Sequence, residues 1–257
     1  MSDINKSQVG AAFDRAAHAY DALATFQQQV CERLAATLPQ VTPQRILDGG
    51  CGTGFGASLL RQRWPDALVV GCDLALEMAR KTGARGVTPV CGDLERLPFA
   101  DASFDLVWSS LALQWCRPAL VYAELQRVLA PGGLLVFATL GPGTLHELED
   151  AFAGIDTHRR VLPFAPDSQI EAALVAAGFG HFKLTSEPWV TRHADFKSLL
   201  ATIRGIGANQ IGANRRQGMM GKTAWKTAQA RYEALRGADG LLPATYVVVR
   251  GWASKGA

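Results

Sequence analysis

Apolar residues recur at three- and four-residue spacing through positions 7–38 (Val9, Ala12, Phe13 and Ala16, then Leu23, Phe26, Val30 and Leu34), which predicts helix that ends at Pro39 and Pro43. Beyond Pro43 the period changes. Short apolar runs at 45–48, 68–73, 87–91, 104–110 and 134–140 read as strands, and amphipathic stretches at 54–64, 75–83 and 118–130 read as helices between them. Pro131-Gly132-Gly133 is expected to end the helix at Ala130 and turn into the fifth strand. A further helix at 167–177, with Asp167 near its N-cap and Gly178 after its end, leads to a strand at 181–190. Residues 192–236 break the alternation: they read as helical, are interrupted by Gly205, Gly207, Gly212, Gly218 and Gly221, and precede a last strand at 246–252. Short apolar strands separated by helices imply a buried, mostly parallel sheet with right-handed crossovers. The expectation is one α/β Rossmann-like domain with seven strands. It comprises an N-terminal helical cap (1–40), a ligand-binding core (41–191), a helical insertion (192–236) and a final strand within 244–252.

The first strand ends in Asp48-Gly49-Gly50-Cys51-Gly52-Thr53-Gly54. Glycines at that spacing let the backbone turn sharply and lie flat against a bulky ligand. Gly52-Thr53-Gly54-Phe55-Gly56-Ala57 also satisfies the dinucleotide pattern G-x-G-x-x-A. Asp48 discriminates between the two, because a carboxylate there would repel a pyrophosphate and welcome the ammonium and sulfonium of S-adenosylmethionine.

The other strand ends carry matching chemistry, since ligands of doubly wound sheets bind beyond the carboxyl ends of the strands. Asp73 closes the second strand, where it can accept from ribose hydroxyls or cap the helix that follows. Gly92-Asp93-Leu94 follows the third, where Asp93 can accept from an adenine amino group and Leu94 can pack on the ring. Ser109 lies at the end of the fourth strand, with Gln114 and Trp115 just beyond. Asp105 starts that strand and is read as structural.

Composition narrows the class. The 257 residues suit one core with an embellishment, and no apolar run approaches the ~18 residues of a membrane span. Met1–Lys6 is polar and lacks a signal-peptide core. Five cysteines, an odd number with no C-x-x-C pair, point to a reduced, metal-free, cytoplasmic protein. The net charge of +3 conceals an asymmetry: residues 192–257 hold 11 Lys/Arg against 3 Asp/Glu, and the remainder is acidic.

Taken together, Asp48-x-Gly-x-Gly-x-Gly, Asp73, Gly92-Asp93, Phe104-Asp105 and Pro131-Gly132-Gly133 resemble the class I S-adenosylmethionine-dependent methyltransferases over about residues 40–140. Longer strings extend the resemblance over nearly the whole chain: Phe13 to Asp21, Ser110 to Cys116, Thr139 to Leu148 and Ile206 to Asn209 are similar to the BioC-type malonyl-acyl-carrier-protein O-methyltransferases of biotin synthesis. Gly49 departs from that pattern, which usually has Leu or Val. The resemblance implies methylation of the free carboxylate of a malonyl thioester, on acyl carrier protein or on coenzyme A. Other readings are a methyltransferase for a different small acid or quinone precursor, and a non-methyltransferase assembly factor of the same fold.

Such chemistry needs positioning more than a base, because a malonyl carboxylate is ionised at neutral pH and is itself the nucleophile. Tyr20, Gln114, Trp115 and His146 are the candidate substrate-site residues, and Arg204 a weaker one. Cofactor contacts are expected from Asp48, Gly50, Gly52, Gly54, Asp73, Leu74, Gly92, Asp93, Leu94 and Ser109. Nucleic acid is disfavoured: Ser109-Ser110-Leu111-Ala112 stands where a base-gripping Pro-Pro-Tyr motif would be, and the basic segment has few aromatics for stacking. Its nine Lys/Arg, including Arg215 and Arg216, are instead expected to steer a small acidic carrier protein.

Overall fold

In the computed structural model, residues 4–155, 158, 160–205 and 221–256 are described. The parallel strands form where expected: β1 (Arg45–Gly49), β2 (Leu68–Asp73), β3 (Thr88–Cys91) and β4 (Phe104–Ser110), followed by β5 (Leu129–Leu140). Two long strands, β6 (Phe179–His193) and β7 (Leu242–Lys255), complete a seven-stranded sheet of order β3-β2-β1-β4-β5-β7-β6. β7 lies antiparallel between β5 and β6. The order reverses direction at β1 and β4, so the ends of these two strands open the crevice in which a ligand can sit.

Strand alternation sends side chains to two cores. Ile46, Leu106, Trp108 and Val136 face one layer, with Phe26, Val30 and Leu60 packed on them. Leu47, Val107, Leu135 and Phe137 face the other, covered by Tyr122, Leu125 and Leu174. The first layer draws on α3 (Thr25–Ala36), α4 (Phe55–Arg63), α7 (His146–Phe152), α9 (Phe196–Gly205) and α10 (Lys222–Glu233). The second draws on α6 (Pro118–Val128) and α8 (Asp167–Ala176). Among the described residues no helix is long and apolar enough to cross a membrane.

Three expectations change. The helix of 7–38 is three pieces, α1 (Lys6–Ala16), α2 (Tyr20–Leu23) and α3, because the chain bends at Ala17–Ala19 and at Ala24 to fold across the strand ends. Pro131-Gly132-Gly133 is not a turn before the strand. Helix α6 stops at Val128, and these residues lie inside β5, where the pairing with β4 shifts register between Phe104 and Leu106. The run after His193 forms α9 and α10. The stretch between them, including Arg215, Arg216 and Ile206 to Asn209, lies outside the described residues.

The α1–α2 cap is tied down by polar contacts. Lys6 Nζ donates to Asp93 Oδ1 at 3.0 Å and pairs with Glu95 at 3.2 Å. Asp14 Oδ1 accepts the Glu77 N–H at 2.8 Å, which satisfies an amide in the first turn of α5 (Leu76–Ala84). Asp21 accepts from the Thr53 hydroxyl and pairs with Arg85 at 2.7 Å. Asp105 anchors the far end of the sheet as expected, accepting the Gln44 and Arg45 amides at 2.9 Å each.

Where β7 crosses the sheet, a Cβ on Gly251 would stand 2.6 Å from both Phe137 Cζ and Leu184 Cδ2. Gly251→Ala is therefore expected to destabilise the fold by about 1–3 kcal/mol through overpacking. Urea unfolding with an unchanged midpoint would contradict this packing.

Candidate functional site

Gly50 takes φ +74°, and its amide donates to the Cys72 carbonyl at 2.7 Å, which bends the chain away from β1. A Cβ here would sit 2.1 Å from the Ala112 Cβ, so only glycine fits. The turn opens one cavity at the strand ends, beneath the N-terminal helix. Gly50, Gly52, Asp73, Leu74, Asp93 and Leu94 line it, with Lys6, Val9 and Phe13 of α1 as its roof. Asp73 already accepts the Gly52 and Ala75 amides at 2.9 and 2.8 Å. It thus orients the glycine turn and the start of the next helix while keeping lone pairs toward the cavity.

A neighbouring cavity reaches Asp48, Gly56 and Trp108. Asp48 is buried, and its Oδ2 has no hydrogen-bond partner; the Trp108 Nε1 is likewise buried and unpartnered. They flank one point, since a Cβ on Gly56 would lie 3.2 Å from Asp48 Oδ2 and 3.0 Å from Trp108 Nε1. An acceptor and a donor side by side fit the ammonium and carboxylate of a zwitterionic amino acid. The residues therefore suit S-adenosylmethionine at both its adenosyl and its amino-acid ends.

Burial pushes the Asp48 carboxyl up to about 7, and the negative charge of Asp73 adds to the effect. Burial likewise pushes Asp73 up to about 6, against the pull of the amides that it accepts. Both folded values exceed the ordinary carboxylate value of 3.8. The contribution of these groups to stability is thus greatest below that pH and is lost as pH rises through 6 and 7. A cationic ligand offsets the charge.

A further cavity, mostly apolar, meets the first at Phe13, Tyr20, Leu111 and Trp115. Tyr20 lines all three cavities. Trp115 packs edge-on against Phe13 with ring centres 5.7 Å apart. Gln114 lines the apolar cavity, fixed by donation to the Leu111 carbonyl at 2.6 Å and acceptance from Thr139 at 3.3 Å.

Several expected residues fall elsewhere. Ser109 is fully buried and donates to the Gly49 carbonyl at 2.8 Å; the adjacent Ser110 lines the cavities instead. Strand alternation is the reason: Ser110 shares the face of Trp108, whereas Ser109 points to the opposite core. Gly54 serves as the left-handed N-cap of α4, packed on Thr82, and Gly92 packs behind the site on Cys72 and Pro98. His146 is half-exposed with Nδ1 3.1 Å from the Gly143 carbonyl, and it lines none of the cavities. Arg204 is exposed on α9, whose Ile203 reaches the apolar cavity.

Lys6, Ser110, Arg160 and Tyr246 line the cavities although no motif points to them. Ser110 was recoverable from strand parity. Arg160 had no signal, because it lies in a loop without motif or period. It is the one positively charged side chain on the described wall of the apolar cavity, and its guanidinium stacks over the Phe152 ring at 4.5 Å.

Affinity for S-adenosylmethionine is expected to rise about tenfold or more from pH 5.5 to pH 8, as the two carboxyls ionise. Asp48→Asn should weaken binding and flatten that rise. Calorimetry giving a pH-independent affinity in the parent protein would remove these carboxylates from the binding site.

Residues 47–137 match a methyltransferase-domain family model. A malonyl-[acyl-carrier protein] O-methyltransferase of Herminiimonas arsenicoxydans is 61% identical over 96% of this chain and 95% of its own length. One from Laribacter hongkongensis is 46% identical over 97% and 89% respectively. A solved SAM-dependent methyltransferase of Thermotoga maritima shares the fold, with TM-score 0.57 and 19% identity over 96% of this chain and 99% of that one. With full-length relatives at this identity, the chain belongs to the malonyl-[acyl-carrier protein] O-methyltransferase family.

Proposed function

We propose that this chain methylates the free carboxylate of a malonyl thioester on acyl carrier protein, giving the methyl ester that primes pimeloyl formation in biotin synthesis. The observation that carries this reading is the apolar cavity that adjoins the cofactor pocket at Tyr20 and Trp115 and has Arg160 as its cation. When bound, S-adenosylmethionine supplies an electrophilic methyl group and leaves as a neutral thioether. Asp48 and Trp108 would hold its amino-acid end, Asp73 its ribose, and Asp93 with Leu94 its adenine.

The remaining work is positioning. A carboxylate entering an apolar cavity loses its hydration, so it needs an opposite charge, yet one that leaves a lone pair free to attack. Arg160 provides the charge, held in place by Phe152. The Tyr20 hydroxyl stays protonated, because burial and the neighbouring Asp73 and Asp21 raise its pKa, and so it serves as a donor. Gln114, tethered at both ends of its amide, keeps a fixed dipole on the same wall. No general base is required, and no carboxylate is among the described residues lining this cavity. Phe13, Leu111 and Trp115 exclude water from the junction, which spares the methyl group from hydrolysis. Five cysteines without a disulfide, four of them buried, suit a reducing compartment, and we place the protein in the cytoplasm.

Incubating malonyl-carrier protein with the enzyme and S-adenosylmethionine should add the mass of one CH₂, removable by mild base as methanol. Arg160→Gln should raise KM for the malonyl substrate by about tenfold, the loss of one charge-assisted contact, with cofactor affinity unchanged. An unmodified carrier protein would refute the proposed reaction, and an unchanged KM would remove Arg160 from substrate binding.

A further inference from the structure

A fourth space, a groove, adjoins the apolar cavity. The two share Phe26, Gln27 and Tyr246, so the groove begins where the acceptor cavity ends. Phe26 stacks on Tyr246 with ring centres 4.2 Å apart, forming a common rigid wall. One bank of the groove is α2 and the start of α3, with Leu23, Thr25 and Gln29; the other is the end of β6 and Thr202 of α9. At the β6 end stands Arg192, whose Nε lies 3.6 Å from Asp239. That separation is longer than a hydrogen bond, and an exposed pair of this kind binds weakly, which leaves guanidinium donors for another anion. No carboxylate is among the described residues lining the groove.

An acyl group on a carrier protein hangs from a long, flexible arm: a thioester, two amides, a hydroxyl and finally a phosphodiester to the protein. A passage for that arm needs apolar walls, amide partners along its length and a cation near the outer end, and it must join the acceptor site. The groove has Phe26 and Leu23 as apolar wall, Gln and Thr side chains, and Arg192 three residues along β6 from Trp189, which pairs with the shared Tyr246. Resting on the function proposed above, we infer that the groove between α2–α3 and the β6 end is the channel for the pantetheine arm of the carrier-bound substrate, with Arg192 placed for the phosphodiester. The Gln and Thr side chains meet the amides, and Leu23 lies along the methylene and methyl groups. Recognition of the arm thus comes from a surface separate from the acceptor cavity.

Three substrates of decreasing length separate this channel from the acceptor site: malonyl-carrier protein, malonyl-pantetheine, and malonyl-N-acetylcysteamine, which keeps only the thioester and one amide. Thr202→Trp, which narrows the groove, should lower kcat/KM at least about tenfold for the two longer substrates. It should leave the shortest within about twofold, since binding energy from the remote arm would be what is lost. Arg192→Ala, a surface change with little risk to folding, should lower kcat/KM several-fold for the carrier-bound substrate and spare malonyl-pantetheine, which has no phosphodiester. Equal loss on all three substrates, or no loss from either variant, would overturn the channel while leaving the proposed methylation standing. A parent enzyme that methylates none of the three would overturn the reaction itself, and the channel with it.

Discussion

Two carboxylates at the ends of adjacent parallel strands, Asp48 buried and Asp73 half-buried, with no basic partner among the described residues, are the constraint around which the molecule is arranged. Asp48 and Asp73 are raised to about 7 and about 6 by desolvation, and Asp48 keeps one oxygen unpartnered. In a protein selected only for stability, such positions would hold apolar residues or a paired cation. Their charge costs stability above neutral pH and is offset only when a cation arrives. A sulfonium with an ammonium group is such a cation, whereas a pyrophosphate is not.

The rest of the architecture protects that arrangement. The glycine turn lines the cavity at the strand ends, and the α1–α2 cap roofs it. Three acidic side chains, Asp93, Asp14 and Asp21, bind the cap through Lys6, the Glu77 amide, and Thr53 with Arg85. Closing the roof places Tyr20 where the cavity at the glycine turn, the cavity at Asp48 and the apolar cavity meet. The four-residue helix α2 therefore sets the junction of the three cavities.

Much of this was legible in the sequence, because the decisive features are local. The strand before Asp48, the glycine spacing and the acids closing β2 and following β3 depend on backbone geometry within a few residues. What escaped is non-local. The breaks at Ala17–Ala19 and Ala24 lie in helix-compatible sequence, and they accompany non-local contacts: the polar ties of Asp14 and Asp21 and the packing of Ala17 on Ala75 and Met78. The placement of β7 between β5 and β6 is set by packing across the sheet. His146 looked suggestive after a Gly-Pro-Gly turn, yet Gly143 at φ +88° turns it toward solvent. Ser109 was a different kind of miss, since the period-2 rule applied from Trp108 would have selected Ser110.

The claim that an uncompensated buried carboxylate awaits a cation is tested most directly by a carbon-13 NMR titration of the Asp48 carboxyl, assigned with Asp48→Asn. In the ligand-free protein the midpoint should lie near 7, and adding S-adenosylmethionine should drive it down by at least about one unit as the cation favours the ionised form. A ligand-free midpoint near the ordinary carboxylate value of 3.8, or one that the cofactor leaves unmoved, would contradict the account.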